Sequence, residues 1–220
     1  MKTIGVLGGI GPESSALFYE RLISKYKKLC KPRKNTDYPH IVINSIPAPE
    51  LTSGENVSKI ESYINGLKFL ERDCDFIVIV CNTAYSLLKD FKKVISKPIL
   101  DLHGLILKTL VARNAKKVLV LASPNSLSSD LFLGIDIIPL DSTTKNRVGE
   151  IINRINLGMD TDEDLIFIRG LIDRFKTQTD VILVACTELS TLLKDFTHVK
   201  KVDTLDLMVD ATLDYYVAIS

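Results

Sequence analysis

Two kinds of hydrophobic pattern alternate along this chain. Short apolar runs bounded by turn residues predict buried strands near 3–8, 40–45, 76–80 and 97–100. They recur near 117–122, 135–139, 180–185 and 199–203. Between them apolar residues return at helical spacing, which predicts helices near 13–29, 57–72, 83–93 and 102–113. A second set follows near 126–133, 144–157, 162–176, 188–195 and 205–218. Strands interleaved with helices imply an α/β fold with parallel sheets covered on both faces. In such sheets ligands bind beyond the carboxyl ends of the strands. That places Gly8–Ser14, Cys81–Thr83, Ser123–Ser126 and Cys186–Glu188 where a site is expected.

The pattern also repeats itself. Asp75-Phe76-Ile77-Val78-Ile79-Val80-Cys81 runs into NTAYSLLKDF, and Asp180-Val181-Ile182-Leu183-Val184-Ala185-Cys186 runs into TELSTLLKDF, at a constant offset of 105 residues. The half-chain starts match as well. Lys2-Thr3-Ile4-Gly5-Val6-Leu7-Gly8 corresponds to Lys116-Lys117-Val118-Leu119-Val120-Leu121-Ala122 at an offset of 114, so the first half carries nine extra residues before its Cys. The turn-rich stretch Asn44 to Asn56 is the expected place for them. Similarity at half the chain length argues for a duplicated domain. The expected organisation is a first lobe over 1–100 holding Cys81, a second over 101–205 holding Cys186, and a helix over 206–220 that packs back on the first lobe. A cleft between the lobes would hold both thiols, with acid–base groups on opposite sides of one substrate.

Composition narrows the function classes. A chain of 220 residues with 46% hydrophobic content supports full cores, and a net charge of +1 gives no electrostatic footprint for nucleic acid. The Lys25–Lys34 patch reads as the solvated end of the first helix. No apolar stretch reaches the roughly 18 residues of a membrane span, and MKTIGVLGG is too short for a signal peptide, so a cytoplasmic protein without nucleic-acid or membrane partners is expected. Four cysteines without close pairing are then expected as free thiols.

Gly9-Ile10-Gly11-Pro12-Glu13-Ser14 misses the dinucleotide fingerprint: Ser14 stands at the third glycine, and no acidic residue ends the second strand, HIVINS. What survives is an unusual turn that lets backbone N–H groups approach an anion, with Pro12 opening the helix. Ser123-Pro124-Asn125-Ser126 offers a parallel cradle in the second half, and a small carboxylate suits both. Cys30 and Cys74 read as small core residues. Cys81 and Cys186 differ, because each sits where a helix begins and its dipole is expected to lower the thiol pKa. Asn82-Thr83 and Thr187-Glu188 follow them with groups able to hydrogen-bond a carboxylate. With no C-x-x-C and no nearby His, zinc is disfavoured, and no metal is expected. The residues leave open a two-thiol acid–base pair and a Cys–His pair with His40, His103 or His198.

Gly8-Gly9-Ile10-Gly11-Pro12-Glu13, Cys81-Asn82-Thr83-Ala84 and Ala185-Cys186-Thr187-Glu188 together resemble the aspartate/glutamate racemase family, in order and spacing, over nearly the whole chain. The resemblance implies two α/β lobes, an amino-acid or dicarboxylate substrate, a homodimer and no cofactor. It implies that Cys81 and Cys186 are the catalytic pair, with Asn82, Thr83, Thr187 and polar groups of Ser123–Ser126 on the substrate α-carboxylate. Related activities within the superfamily are maleate isomerase and malonate-type decarboxylase, and a carboxylate-binding protein without turnover is a further alternative. The chain departs from the family pattern at several points. Tyr85 stands where His is usual, Met208 lies in a closing segment that often carries His, and Ser45–Leu51 contains no basic residue. The Lys expected near Gly158 is absent, which makes Arg154 the candidate side-chain carboxylate binder. Glu50, Tyr85 and Arg154 are the expected specificity positions.

Overall fold

The computed structural model describes residues 2–49, 57–196 and 199–219. The first half runs β1 (Thr3–Gly8), α1 (Pro12–Cys30), β2 (His40–Ser45), α2 (Val57–Glu71) and β3 (Phe76–Ile79). A 3-10 turn at Thr83–Leu87, α3 (Leu88–Val94) and α4 (Leu102–Ala112) follow. The second half runs β4 (Lys117–Leu121), α5 (Pro124–Leu127), β5 (Asp136–Ile137), α6 (Ser142–Asn156), α7 (Asp162–Phe175), β6 (Val181–Val184), α8 (Thr187–Leu192), β7 (Lys201–Asp203) and α9 (Thr204–Ile219). Two parallel sheets result, ordered β2-β1-β3 and β5-β4-β6-β7.

The duplicated sequence folds twice the same way. In each half the opening strand lies at the centre, paired with the strand that ends at the Cys. The Asp that opens each copy has one task. Asp75 accepts from the Thr3 N–H at 2.7 Å, and Asp180 accepts from the Lys116 and Lys117 N–H groups at 2.8 and 2.9 Å. Each carboxylate thereby fastens the start of its neighbouring strand, and those bonds hold both carboxyls below the usual range.

Three elements differ from the sequence expectation. Residues 97–100 form only an isolated bridge, Ile77 with Ile99. Pro98 lends its carbonyl to Ile77 but has no N–H to extend a ladder. The helix expected over 126–133 breaks into α5 and a 3-10 turn at Asp130–Phe132, because Ser123 and Ser129 hydroxyls accept from Ser126 N and Leu131 N and start each piece separately. The nine extra residues are not one insertion at Asn44–Asn56. α1 has 19 residues against 4 in its counterpart α5, while α6 and α7 together replace the single helix α2. The first half is longer on the outward crossover and shorter on the return.

Alternation along the second sheet divides the interior. Val118, Val120, Val181 and Leu183 share one core with the first lobe, while Leu119, Leu121, Ile182 and Val184 face a separate core under α6 and α7. α9 packs on α1 and α4, and α1 also meets α8. The lobes are therefore joined by a common apolar interior. Among the described residues, no helix is long and apolar enough to cross a membrane.

Candidate active site

Each lobe hands its Cys loop to the other lobe. α5, at the end of β4, contacts the turn after Cys81, and α1, at the end of β1, contacts α8 after Cys186. Side chains complete the pairing. Thr83 Oγ1 lies 3.2 Å from Ser123 Oγ and 2.9 Å from Ser126 Oγ, and Ser123 Oγ donates to Ser126 Oγ at 2.9 Å. On the opposite side the Glu188 carboxylate rests against Gly11, so close that a Cβ there would overlap Oε1. Only glycine allows that approach.

Between these pairings lies a cavity of about 210 Å³, where β1, β3, β4 and β6 end. Cys81 and Cys186 both line it, and so do Ile10, Thr83, Ser123, Asn125 and Glu188. Cys186 is 6% exposed, and its Sγ donates to Glu188 Oε2 at 2.9 Å; Thr187 Oγ1 donates to the same oxygen at 3.2 Å. Both thiols depart from the sequence expectation. Burial, followed by the Glu188 charge, pushes Cys81 up to about 12, although N–H groups of Ala84 and Thr83 pull the other way. The same two causes and the bond to Glu188 put Cys186 well above the ordinary 9.0. A helix start stabilises a thiolate, but here loss of water and a facing carboxylate outweigh it.

Several expected residues sit elsewhere. Asn82 is buried with its amide on Thr204, where Nδ2 donates to Oγ1 at 2.8 Å; it ties the Cys81 loop to α9 instead of lining the cavity. Thr187 is buried beneath Glu188. Ser126 acts through the hydroxyl cluster. Gly9, at φ +83°, shapes the turn, and a Cβ there would come within 2.5 Å of Ile46 N. Gly11 borders an adjoining cavity of about 280 Å³ that shares Asn156 and Glu188 with the first.

Arg154 is not directed at the site. Its Nε and Nη2 donate to Asp164 Oδ2 and Oδ1 at 2.8 and 2.5 Å, a bidentate pair with a carboxylate that is 1% exposed. Tyr85 is buried on the far side of its turn, its hydroxyl accepting from Ile79 N at 3.4 Å, and burial raises its pKa. His40 pairs with Thr3 and His103 with the Leu131 carbonyl, and neither lines the cavity. Glu50 and His198 lie outside the described residues. All four cysteines are free, but Cys30 is exposed at the end of α1, where the helix has passed beyond the core; Cys74 is buried. No group of three His, Cys, Asp or Glu among the described residues is placed to hold a metal.

Sequence reasoning missed most of the remaining wall, although Pro124 lies in the expected cradle and Ala48 in the loop after the second strand. Gly149, Ile152, Asn153 and Asn156 present one face of α6 to the cavity, and Ala48, Tyr63 and Pro124 complete it. Their spacing of i, i+3, i+4 and i+7 is the signal that marks one helix face.

Comparison with known proteins gives a consistent result. The family model described as Asp/Glu/hydantoin racemase matches residues 7–212. The broad-specificity amino-acid racemase RacX of Bacillus subtilis is 26% identical over 225 residues, covering 98% of each chain. Among solved structures, the aspartate racemase of Picrophilus torridus superposes with a TM-score of 0.84 at 24% identity, covering 98% of this chain and 94% of its own. The glutamate racemase of Francisella tularensis, in complex with D-glutamate, gives 0.65 at 15% identity, covering 99% and 81%.

Proposed function

The chain belongs to the Asp/Glu/hydantoin racemase family, and from that premise we propose that it is a cofactor-independent amino-acid racemase working through Cys81 and Cys186. The observation that carries the reading is the presence of both thiols in one cavity, delivered from equivalent positions of two duplicated lobes. An α-hydrogen is a very weak acid, so its removal needs a base on one face, a proton donor on the other and stabilisation of the electron pair between them.

The residues supply each part. The Thr83 and Ser123 hydroxyls, with Asn125, form the polar end of the cavity and suit the α-carboxylate, onto which the electron pair spreads. Glu188 is the only charged side chain among the described lining residues, and it suits the α-ammonium. One sulfur takes the α-proton as thiolate. The other, as thiol, gives its proton to the opposite face. The C–H bond broken on one side is replaced by one formed on the other, and the two sulfurs exchange protonation states.

Burial and Glu188 hold both thiols neutral in the cleft. An ammonium group entering beside Glu188 offsets that charge and so lowers the cost of a thiolate at either sulfur. The thiolate then forms when substrate is bound. Such a site protects its sulfurs from chemistry with anything else.

The test is proton NMR in deuterated water, without added cofactor, on L- and D-amino acids with the wild type, Cys81→Ser and Cys186→Ser. The wild type is expected to exchange the α-proton and lose optical rotation. Each variant is expected to lose racemisation by at least ~10³-fold, within the range of removing a catalytic acid or base. A variant that still racemises at near wild-type rate refutes the two-thiol reading.

A further inference from the structure

Resting on the racemase reading, we propose that the substrate is a neutral α-amino acid and that the face of α6 formed by Ile152, Asn153 and Asn156 selects it against aspartate and glutamate.

A second carboxylate on the substrate needs a cation or a dense set of donors when it leaves water. Among the described residues the cavity is lined by no Lys, Arg or His. The nearest sequence candidate, Arg154, sits between Asn153 and Asn156 but turns away to Asp164. Freeing it would strip a carboxylate that is 1% exposed of its bidentate partner, leaving Arg147 at 3.6 Å and the Thr161 N–H at 3.2 Å. The pairing is therefore a fixed part of the α6–α7 packing, and it removes the cation from use by a substrate.

Charge inside the cavity points the same way. Among the described residues its one acidic lining side chain is Glu188. A dicarboxylic substrate would bring two negative groups, only one of which meets the hydroxyl cluster of Thr83, Ser123 and Ser126. The other would face Glu188 or an uncharged wall. The wall itself suits a side chain without charge. Ile152, Ala48 and Pro124 give apolar contact, while Asn153 and Asn156 offer carboxamide donors and acceptors. Gly149 keeps this helix close, since a Cβ there would lie 3.0 Å from Pro124 Cδ.

The experiment measures both turnover and binding across a panel. Deuterium exchange and calorimetric binding are measured for L- and D-forms of alanine, serine, methionine, leucine, glutamine, aspartate, glutamate and lysine, on wild type and Asn156→Arg. The best neutral amino acid is expected to exceed aspartate and glutamate at least tenfold in kcat/KM and in affinity. Asn156→Arg is expected to narrow or reverse that ratio by raising glutamate or aspartate at least tenfold. Neutral ligands that bind without exchange would refute racemisation while upholding the specificity. Tighter binding or faster exchange of aspartate, glutamate or lysine would overturn the proposal, and so would failure of every neutral amino acid to bind.

Discussion

The two cleft thiols give the sharpest quantitative prediction, because the fold opposes what their position at a helix start would suggest. Cys81 is pushed up to about 12 from an ordinary 9.0, a difference of about 4 kcal/mol against the thiolate. At pH 7 its thiolate fraction falls ~10³-fold below that of an ordinary thiol. The rarer thiolate is also a better nucleophile: with a Brønsted slope of ~0.4–0.5, three units return about 15- to 30-fold. The net expectation is a reaction with a small disulfide reagent roughly 30- to 60-fold slower than that of an ordinary thiol. The rate should climb close to tenfold per pH unit past pH 10. Cys186 should behave similarly, while the exposed Cys30 reacts first. Peptide mapping after timed labelling separates the sites. Glu188→Gln removes the charge that is the second-largest cause at both sulfurs, but it leaves burial, the largest cause. It also weakens the hydrogen bond at Cys186, because an amide oxygen accepts less strongly than a carboxylate. Both thiols should then react faster at neutral pH, with Cys186 gaining most and neither reaching ordinary reactivity. A wild-type rate that levels off below pH 9, or labelling that Glu188→Gln leaves unchanged, would refute the argument from burial and charge.

Two further outcomes follow from the packing around the cleft. Gly11→Ala places a methyl group on Glu188 Oε1; the carboxylate must move, and racemisation should fall about 10²-fold, the scale set by misplacing a group about 1 Å in a preorganised site, while circular dichroism stays native. Asp164→Ala leaves Arg154 unpartnered and removes the N-terminal capping box of α7; it should cost about 2–3 kcal/mol in urea unfolding, below the ~3–5 of a fully buried pair because Arg154 keeps contact with water. The Asp164 carboxyl is held below its ordinary value, first by Arg154. Its contribution is thus complete above the unfolded pKa near ~3.9 and lost as pH falls through the folded one, so the wild-type advantage should vanish only in acid.

How much of this was legible in the sequence depends on the distance over which each feature is determined. The strands and the two Cys loops are local: five apolar residues after an Asp, a Cys, then a helix start, written twice. The opening strand of each half is likewise legible locally as a strand, but its central place in the sheet comes from pairing with distant strands. What failed were inferences that needed a partner from elsewhere. Arg154 looked available because its partner, Asp164, lies across the α6–α7 turn, where it also reads as an ordinary first-turn carboxylate of α7. Asn82 looked like a substrate ligand because Thr204, which holds it, is 122 residues away. The low thiol pKa was inferred from one helix end, whereas the value is set by how completely two lobes exclude water. Even so, the α6 wall had a readable signature in the spacing of Gly149, Ile152, Asn153 and Asn156.

The asymmetry between the two lobes has a chemical consequence. Duplication supplies two equivalent loops, yet one Cys is followed by Asn82-Thr83 and the other by Thr187-Glu188. Thr83 meets a cluster of hydroxyls contributed by the second lobe, and Glu188 meets a glycine of the first. The cavity therefore has a donor end and an anionic end, though the sulfurs come from equivalent positions. An α-amino acid carries the same polarity in reverse, carboxylate and ammonium on one carbon, and so it would enter in one orientation with its α-carbon between the thiols. Either enantiomer would keep carboxylate, ammonium and side chain in nearly the same places and differ in which face of the α-carbon carries the hydrogen. Under the proposed mechanism the symmetric pair of thiols would serve both directions, and the asymmetric flanks would hold the carbon still while its configuration changes.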